Sequence, residues 1–216
     1  MAKIVRIQKI KQKIKNSDKQ GLKVPTLKTI NPEKTTEKDG ESYTSIQAYL
    51  EENNVITECS QQARQLYEKS RYGVLLDDGR VQLTLLEAYY LHKKNKVQIY
   101  LKKKLLSNED LRNCCVKTEK NFWTRHIVYN DFRTRGYIIK TALKFGAEFR
   151  VYDKGILPGQ DHAKWIVFPV KETETMTWYE FAAKNRVAHS TKKRLLIAIC
   201  DEENSVTYYE VRWTRP

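Results

Sequence analysis

A phenol, an imidazole and an ammonium group follow one another through the C-terminal half of this chain, as Tyr152, His162 and Lys193. Together they could cut RNA. The 2′-hydroxyl of RNA can attack the adjacent phosphorus, leaving a 2′,3′-cyclic phosphate and a free 5′-hydroxyl. That reaction needs a base for the 2′ proton, an acid for the departing 5′ oxygen and a cation for the charge building on the phosphorane. An imidazole titrates near neutrality and suits either proton transfer. A phenol can act as base where neighbouring cations favour its phenolate. The ammonium suits the phosphorane charge. On spacing alone a plainer reading stands beside this one: a strand-end tyrosine is often a half-buried packing residue, and a lysine before a strand is usually solvated.

Other chemistries lack their residues. The Glu-x-Lys or Asp-x-Lys tripeptide of metal-dependent nucleases does not occur. Neither does a GxxxxGK[ST] phosphate loop, a GxGxxG turn or a GxSxG elbow. The four cysteines, Cys59, Cys114, Cys115 and Cys200, form no CxxC pair. No zinc site, and no other metal or cofactor, is therefore expected. The cysteines read as reduced, mostly buried thiols of a cytoplasmic protein.

The elements that must position the three residues belong to a second module over 107–216. Ser107 caps a helix through Lys117, and a longer helix spans Asn121 to Arg135, stopped by Gly136. Strands follow over Tyr137–Phe145 and Ala147–Tyr152, then a Gly/Pro loop to Asp161 and a strand over His162–Val170. Thr177 and Glu180 form a capping box that opens a helix through His189. Leu195–Cys200 reads as a buried strand, Asp201–Asn204 as an acidic turn, and Val206–Trp213 as the last strand. Tyr152, His162 and Lys193 thus fall at element ends, where sites often form. The whole is an α/β or α+β design, a mixed sheet flanked by helices.

A first, smaller α+β module covers 43–106. It has a strand over Arg71–Leu76, a turn at Asp77–Arg80, a return strand over Val81–Leu83 and a strand over Lys96–Leu101. A helix between them is capped by Thr84 with Glu87 three residues on. No catalytic cluster is visible there, so it reads as structural. Residues 1–42 read as a basic arm and linker. Residues 1–30 carry nine Lys or Arg against one acid, Asp18, and isoleucines at helical spacing suggest a basic helix over Lys3–Lys15.

The 216 residues carry a net charge of +14, which favours a polyanionic partner. No apolar run approaches a membrane span.

Several runs resemble the archaeal tRNA-intron endonucleases. They are Tyr129–Tyr137, Lys144–Tyr152, His162-Ala163-Lys164-Trp165, Arg186–Ser190 with Lys193-Arg194-Leu195, and Val206–Val211, joined in the first module by Tyr72-Gly73 and Leu83–Ala88. The likeness covers residues 50–216. It implies a catalytic subunit in which Tyr152 is general base, His162 general acid and Lys193 the phosphorane stabiliser; the first two roles could be exchanged. It also implies that Arg186 and Arg212 sandwich a bulged base across a subunit boundary by cation–π stacking. Asp201, Glu202 and Glu203 resemble a loop that docks into a neighbouring subunit, although an ordinary hairpin turn reads equally well. The implied substrate is precursor tRNA with a bulge–helix–bulge. The implied partners are further copies, as a dimer or tetramer, or a paralogous structural subunit. A non-catalytic RNA-binding subunit of the same complex is the alternative.

Overall fold

The computed structural model describes residues 5–9 and 45–214. Strand β1 (Val5–Lys9) precedes an N-terminal sheet built from β2 (Ile46–Glu51), β3 (Asn54–Thr57), β4 (Val74–Leu75), β5 (Val81–Thr84), β6 (Val97–Leu101) and β7 (Lys104–Leu105). Its order is β4-β5-β3-β2-β6-β7, with β2 and β6 parallel and the other pairs antiparallel. Helix α1 (Gln61–Glu68) follows β3, and α2 (Leu85–Lys93) follows β5. The Thr84–Glu87 capping box opens α2 as expected. Ser107 caps α3 (Asn108–Thr118), and α4 (Phe122–Thr134) ends before Gly136.

The second sheet uses β8 (Ile139–Ala142), β9 (Ala147–Val151), β10 (Trp165–Lys171), β11 (Arg194–Cys200) and β12 (Val206–Trp213), with α5 (Trp178–Ser190) between β10 and β11. Its order is β1-β12-β11-β10-β9-β8. Only β10 and β11 run parallel, and α5 is the crossover such a pair requires. The α+β class follows from these two mixed sheets and their helices.

Helix α4 organises the interior. Its Phe122, Val128, Tyr129 and Phe132 are buried in one cluster with Tyr89 and Leu91 of α2 and with Phe149, Val167, Leu196 and Ala198 of the second sheet. Helix α5 covers the opposite face, where Ala188 joins Ile166, Leu195, Ile197 and Val211. Strand β11 is thus covered on both sides, which explains its unbroken apolar run.

Some expectations are corrected. Val5–Lys9 is a strand paired antiparallel with β12, not part of a helix over Lys3–Lys15. The edge of β12 offers ladder hydrogen bonds, and Val5-Arg6-Ile7-Gln8 also alternates at strand period. The rest of the arm lies outside the described residues. The strand read over Tyr137–Phe145 is confined to β8, because a bulge at Thr141/Ala142 leads into a 3₁₀ turn, Leu143–Phe145. The strand read over Arg71–Leu76 shrinks to β4. The thiols are free, but only Cys115 and Cys200 are buried; Cys59 is exposed. Among the described residues no helix is long and apolar enough to cross a membrane.

Candidate active site

Tyr152, His162 and Lys193 line one cavity of about 370 Å³, together with Phe145, Arg150, Gly159, Gln160, Asp161 and Ala163. Each arrives by a different local device. Tyr152 follows the last residue of β9, and its N–H donates to Ile138 O at 3.0 Å, which anchors it just beyond the ladder. The ring is buried, 4% exposed.

His162 does not open β10 as the sequence suggested; that strand begins at Trp165. The Asp161 carboxylate accepts the His162 backbone N–H at 2.6 Å, a local bond that competes with the ladder. His162 therefore stays in the loop, exposed at the cavity rim. The loop turns through Gly159, whose φ of +97° favours glycine.

Lys193 is placed by the end of α5. The Lys192 N–H donates to His189 O at 3.0 Å, and the Lys193 N–H to Ala188 O at 2.8 Å. This pair is a Schellman motif, with Lys192 in the left-handed region at φ 55° where glycine is usual. The chain then enters β11, where the Arg194 N–H donates to Lys164 O. The Lys193 ammonium donates to Thr191 O at 2.8 Å and lies 5.0 Å from the centre of the Phe145 ring. Partial burial, reinforced by the Arg150 guanidinium, holds its pKa below the ordinary lysine value. The nearby Lys164 is instead ion-paired with Asp153.

Two family models match the chain: "tRNA intron endonuclease, catalytic C-terminal domain" over residues 122–208, and "tRNA intron endonuclease, N-terminal domain" over residues 46–112. The chain belongs to the tRNA intron endonuclease family. Relatives named tRNA-splicing endonuclease include one from Nanoarchaeum equitans, 44% identical over 149 residues, which are 66% of this chain and 94% of that protein. One from Methanothermobacter thermautotrophicus is 37% identical over 171 residues, 79% of this chain and 99% of that protein. One from Pyrococcus furiosus is 37% identical over 172 residues, 80% and 98% of the two chains. With both domains of the tRNA intron endonuclease family present, the chain is an RNA endonuclease of tRNA splicing.

The remaining expected residues of this endonuclease are not among those lining the cavity. Arg186 is exposed on α5, lining a second cavity of about 480 Å³ with Trp178, Phe181, His189 and Trp213. His189 packs edge-on against Trp213, 4.6 Å between ring centres, consistent with a packing role. Arg212 is also exposed but shares the other face of β12 with Glu210, to which its Nε donates at 2.7 Å. In the acidic turn, Asp201 Oδ1 accepts the Ser205 N–H at 2.8 Å, while Glu202 and Glu203 are exposed. Arg150 was missed. Its signal was available, because it stands two residues before Tyr152 on an expected strand, where period two puts both side chains on one face.

Proposed function

We propose that the chain cleaves precursor tRNA at intron–exon junctions without a metal ion, leaving a 2′,3′-cyclic phosphate and a 5′-hydroxyl. The single cavity lined by Tyr152, His162 and Lys193 carries this reading. Tyr152 takes the proton from the 2′-hydroxyl, whose oxygen forms a bond to phosphorus. His162 delivers a proton to the 5′ oxygen as its bond to phosphorus breaks. Lys193 stabilises the negative charge between those events. The exchange of the first two roles is equally compatible with the cavity. Exposure of His162 suits a group that must regain its proton from solvent; burial of Tyr152 suits one that meets only the 2′ oxygen.

The substrate is a bulge–helix–bulge, recognised through RNA shape and unstacked bases, since the grooves of an A-form helix hide most base edges. Stacking of a bulged base between Arg186 and Arg212 requires two chains, because within one chain these arginines occupy opposite faces of β12. The active assembly is accordingly a dimer or tetramer of this chain, or a complex with a paralogous structural subunit, acting in the cytoplasm. Exposed Glu202 and Glu203 are available to dock into a neighbour. Domains over 43–106 and 107–216 divide the work, the first supporting and the second cutting.

The test is cleavage of intron-containing pre-tRNA in EDTA by the purified protein, alone and with a candidate partner, with end-group analysis and native mass measurement. Products with cyclic phosphate ends are expected. Intact RNA under every condition would overturn the reading.

A further inference from the structure

The cavity holds a second cation for which the scheme above has no use. Arg150 sits on β9 and lines the same wall as Tyr152, with its guanidinium 5.9 Å from the centre of that ring. Across the ladder it faces Lys140 of β8 and Ile166 of β10, neither a carboxylate. Glu148 is ion-paired with Arg125 and Asp153 with Lys164, while Asp161, which lines the cavity, holds the His162 N–H through Oδ1 and makes no ion pair with Arg150. The Arg150 Nε is buried with no hydrogen-bond partner, and among the described residues no carboxylate lies within ion-pair distance of the guanidinium.

A half-buried guanidinium without an anion is costly, and a buried donor without an acceptor calls for an explanation. A phosphodiester supplies what is missing. Its two non-bridging oxygens match the planar fork of arginine, which a lysine ammonium cannot reproduce.

We propose that Arg150 is a fourth catalytic residue, donating to a non-bridging oxygen of the scissile phosphate while Lys193 meets the developing charge. The inference rests on the cleavage reading above. As the 2′ oxygen–phosphorus bond forms and the phosphorus–5′ oxygen bond breaks, the two cations share the phosphorane charge. No proton passes through Arg150.

Single-turnover cleavage of pre-tRNA at saturating enzyme tests this in the active assembly. Arg150→Met should slow cleavage by about 10²-fold, the scale for losing one preorganised donor to a developing oxyanion. Arg150→Lys, which keeps charge and stem but loses the fork, should recover only part of that loss. Replacing the contacted non-bridging oxygen with sulfur should slow the wild-type protein, and the penalty should shrink in Arg150→Met, because the two changes break one contact. Distortion of the cavity alone would leave the sulfur penalty at its wild-type size. Wild-type rates in Arg150→Met, or an unchanged sulfur penalty in both diastereomers, would overturn the proposal while leaving the Tyr–His–Lys reading intact. If Arg150→Met melts early, Arg150→Lys carries the same two readouts. Should the wild-type assembly itself not cut, the underlying reading falls and this one with it.

Discussion

Lys140 and Lys193 are both drawn partly out of water, and the two are balanced differently. Between the first module and α4, Glu87 is 4% exposed and accepts from the Lys140 ammonium at 3.1 Å and the Gly73 N–H at 3.0 Å. Lys140 also donates to Gly73 O at 2.9 Å. Arg133 stacks 3.9 Å from the centre of the Tyr72 ring and donates to Ser70 O. Burial pushes the Lys140 pKa down, the Glu87 carboxylate opposes that shift, and the Arg133 and Arg150 guanidiniums add to it. In the cavity, by contrast, burial and a like charge act on Lys193 in the same direction. A permanent joint must balance its charge within the fold, because a buried ion with no counter-ion costs several kcal/mol. A site that receives an anion can leave the balance to its ligand, and on the proposed reading that ligand is the phosphorane.

Four experiments should break or sharpen this contrast. The largest effects belong to the cavity. Tyr152→Phe, His162→Ala and Lys193→Ala should each lower single-turnover cleavage by about 10²- to 10⁴-fold. Their urea midpoints should move little, and pre-tRNA binding in a gel-shift assay should persist. A rate within a few-fold of wild type would remove that residue from the scheme.

The joint should respond in stability instead. Glu87→Ala strips Lys140 of its counter-ion and α2 of half its capping box, and should cost about 3–5 kcal/mol in urea unfolding. Adding Lys140→Met should restore part of that loss. If the double variant is no more stable than the single one, the ion pair is not what Glu87 contributes.

The histidines give a pH version of the same comparison. His126 is buried against Tyr89, Phe122 and Trp123, with its Nδ1 unpartnered, and burial pushes its pKa down from 6.5 to about 4. The unfolded chain therefore binds a proton near pH 6.5 that the folded chain refuses until about pH 4. Stability should fall as pH drops through that window, by about 3 kcal/mol in all. His126→Phe should flatten this limb in unfolding curves taken across that range. An unchanged limb would show that another group drives it.

The smallest expected effect is steric. Gly73 has φ +61°, and an added Cβ would stand 2.4 Å from Gln82 O. Gly73→Ala should cost at least about 1–3 kcal/mol by calorimetry while sparing the cleavage rate of the folded fraction. A neutral result would mean that the β4–β5 strands shift easily.

Local rules made much of this fold legible. Thr84 with Glu87 and Thr177 with Glu180 announce helix starts because the cap and its partner lie three residues apart. The hairpin of β2 and β3 went unread, although Ile46, Ala48, Val55 and Thr57 alternate inward at period two. The two strands are short, and their turn residue Glu52 takes φ 46° without a glycine to mark it. The sequence puts His162 on a strand, since nothing nearby in it reveals that Asp161 captures the His162 N–H. Lys192 likewise ends α5 in the left-handed region with no glycine as a signal.

Sequence alone determined the helix starts at Thr84, Ser107 and Thr177, the buried run of β11, the family and the residue types a metal-free cleavage would need. These depend on near neighbours or on patterns that survive without coordinates. Tertiary structure decided which charges meet. Arg150 comes from β9, Tyr152 from the residue just after it and Lys193 from the α5–β11 junction, and Lys140 finds Glu87 across a module boundary. Electrostatic balance depends on distance in space and on exclusion of water, and neither is written along the chain.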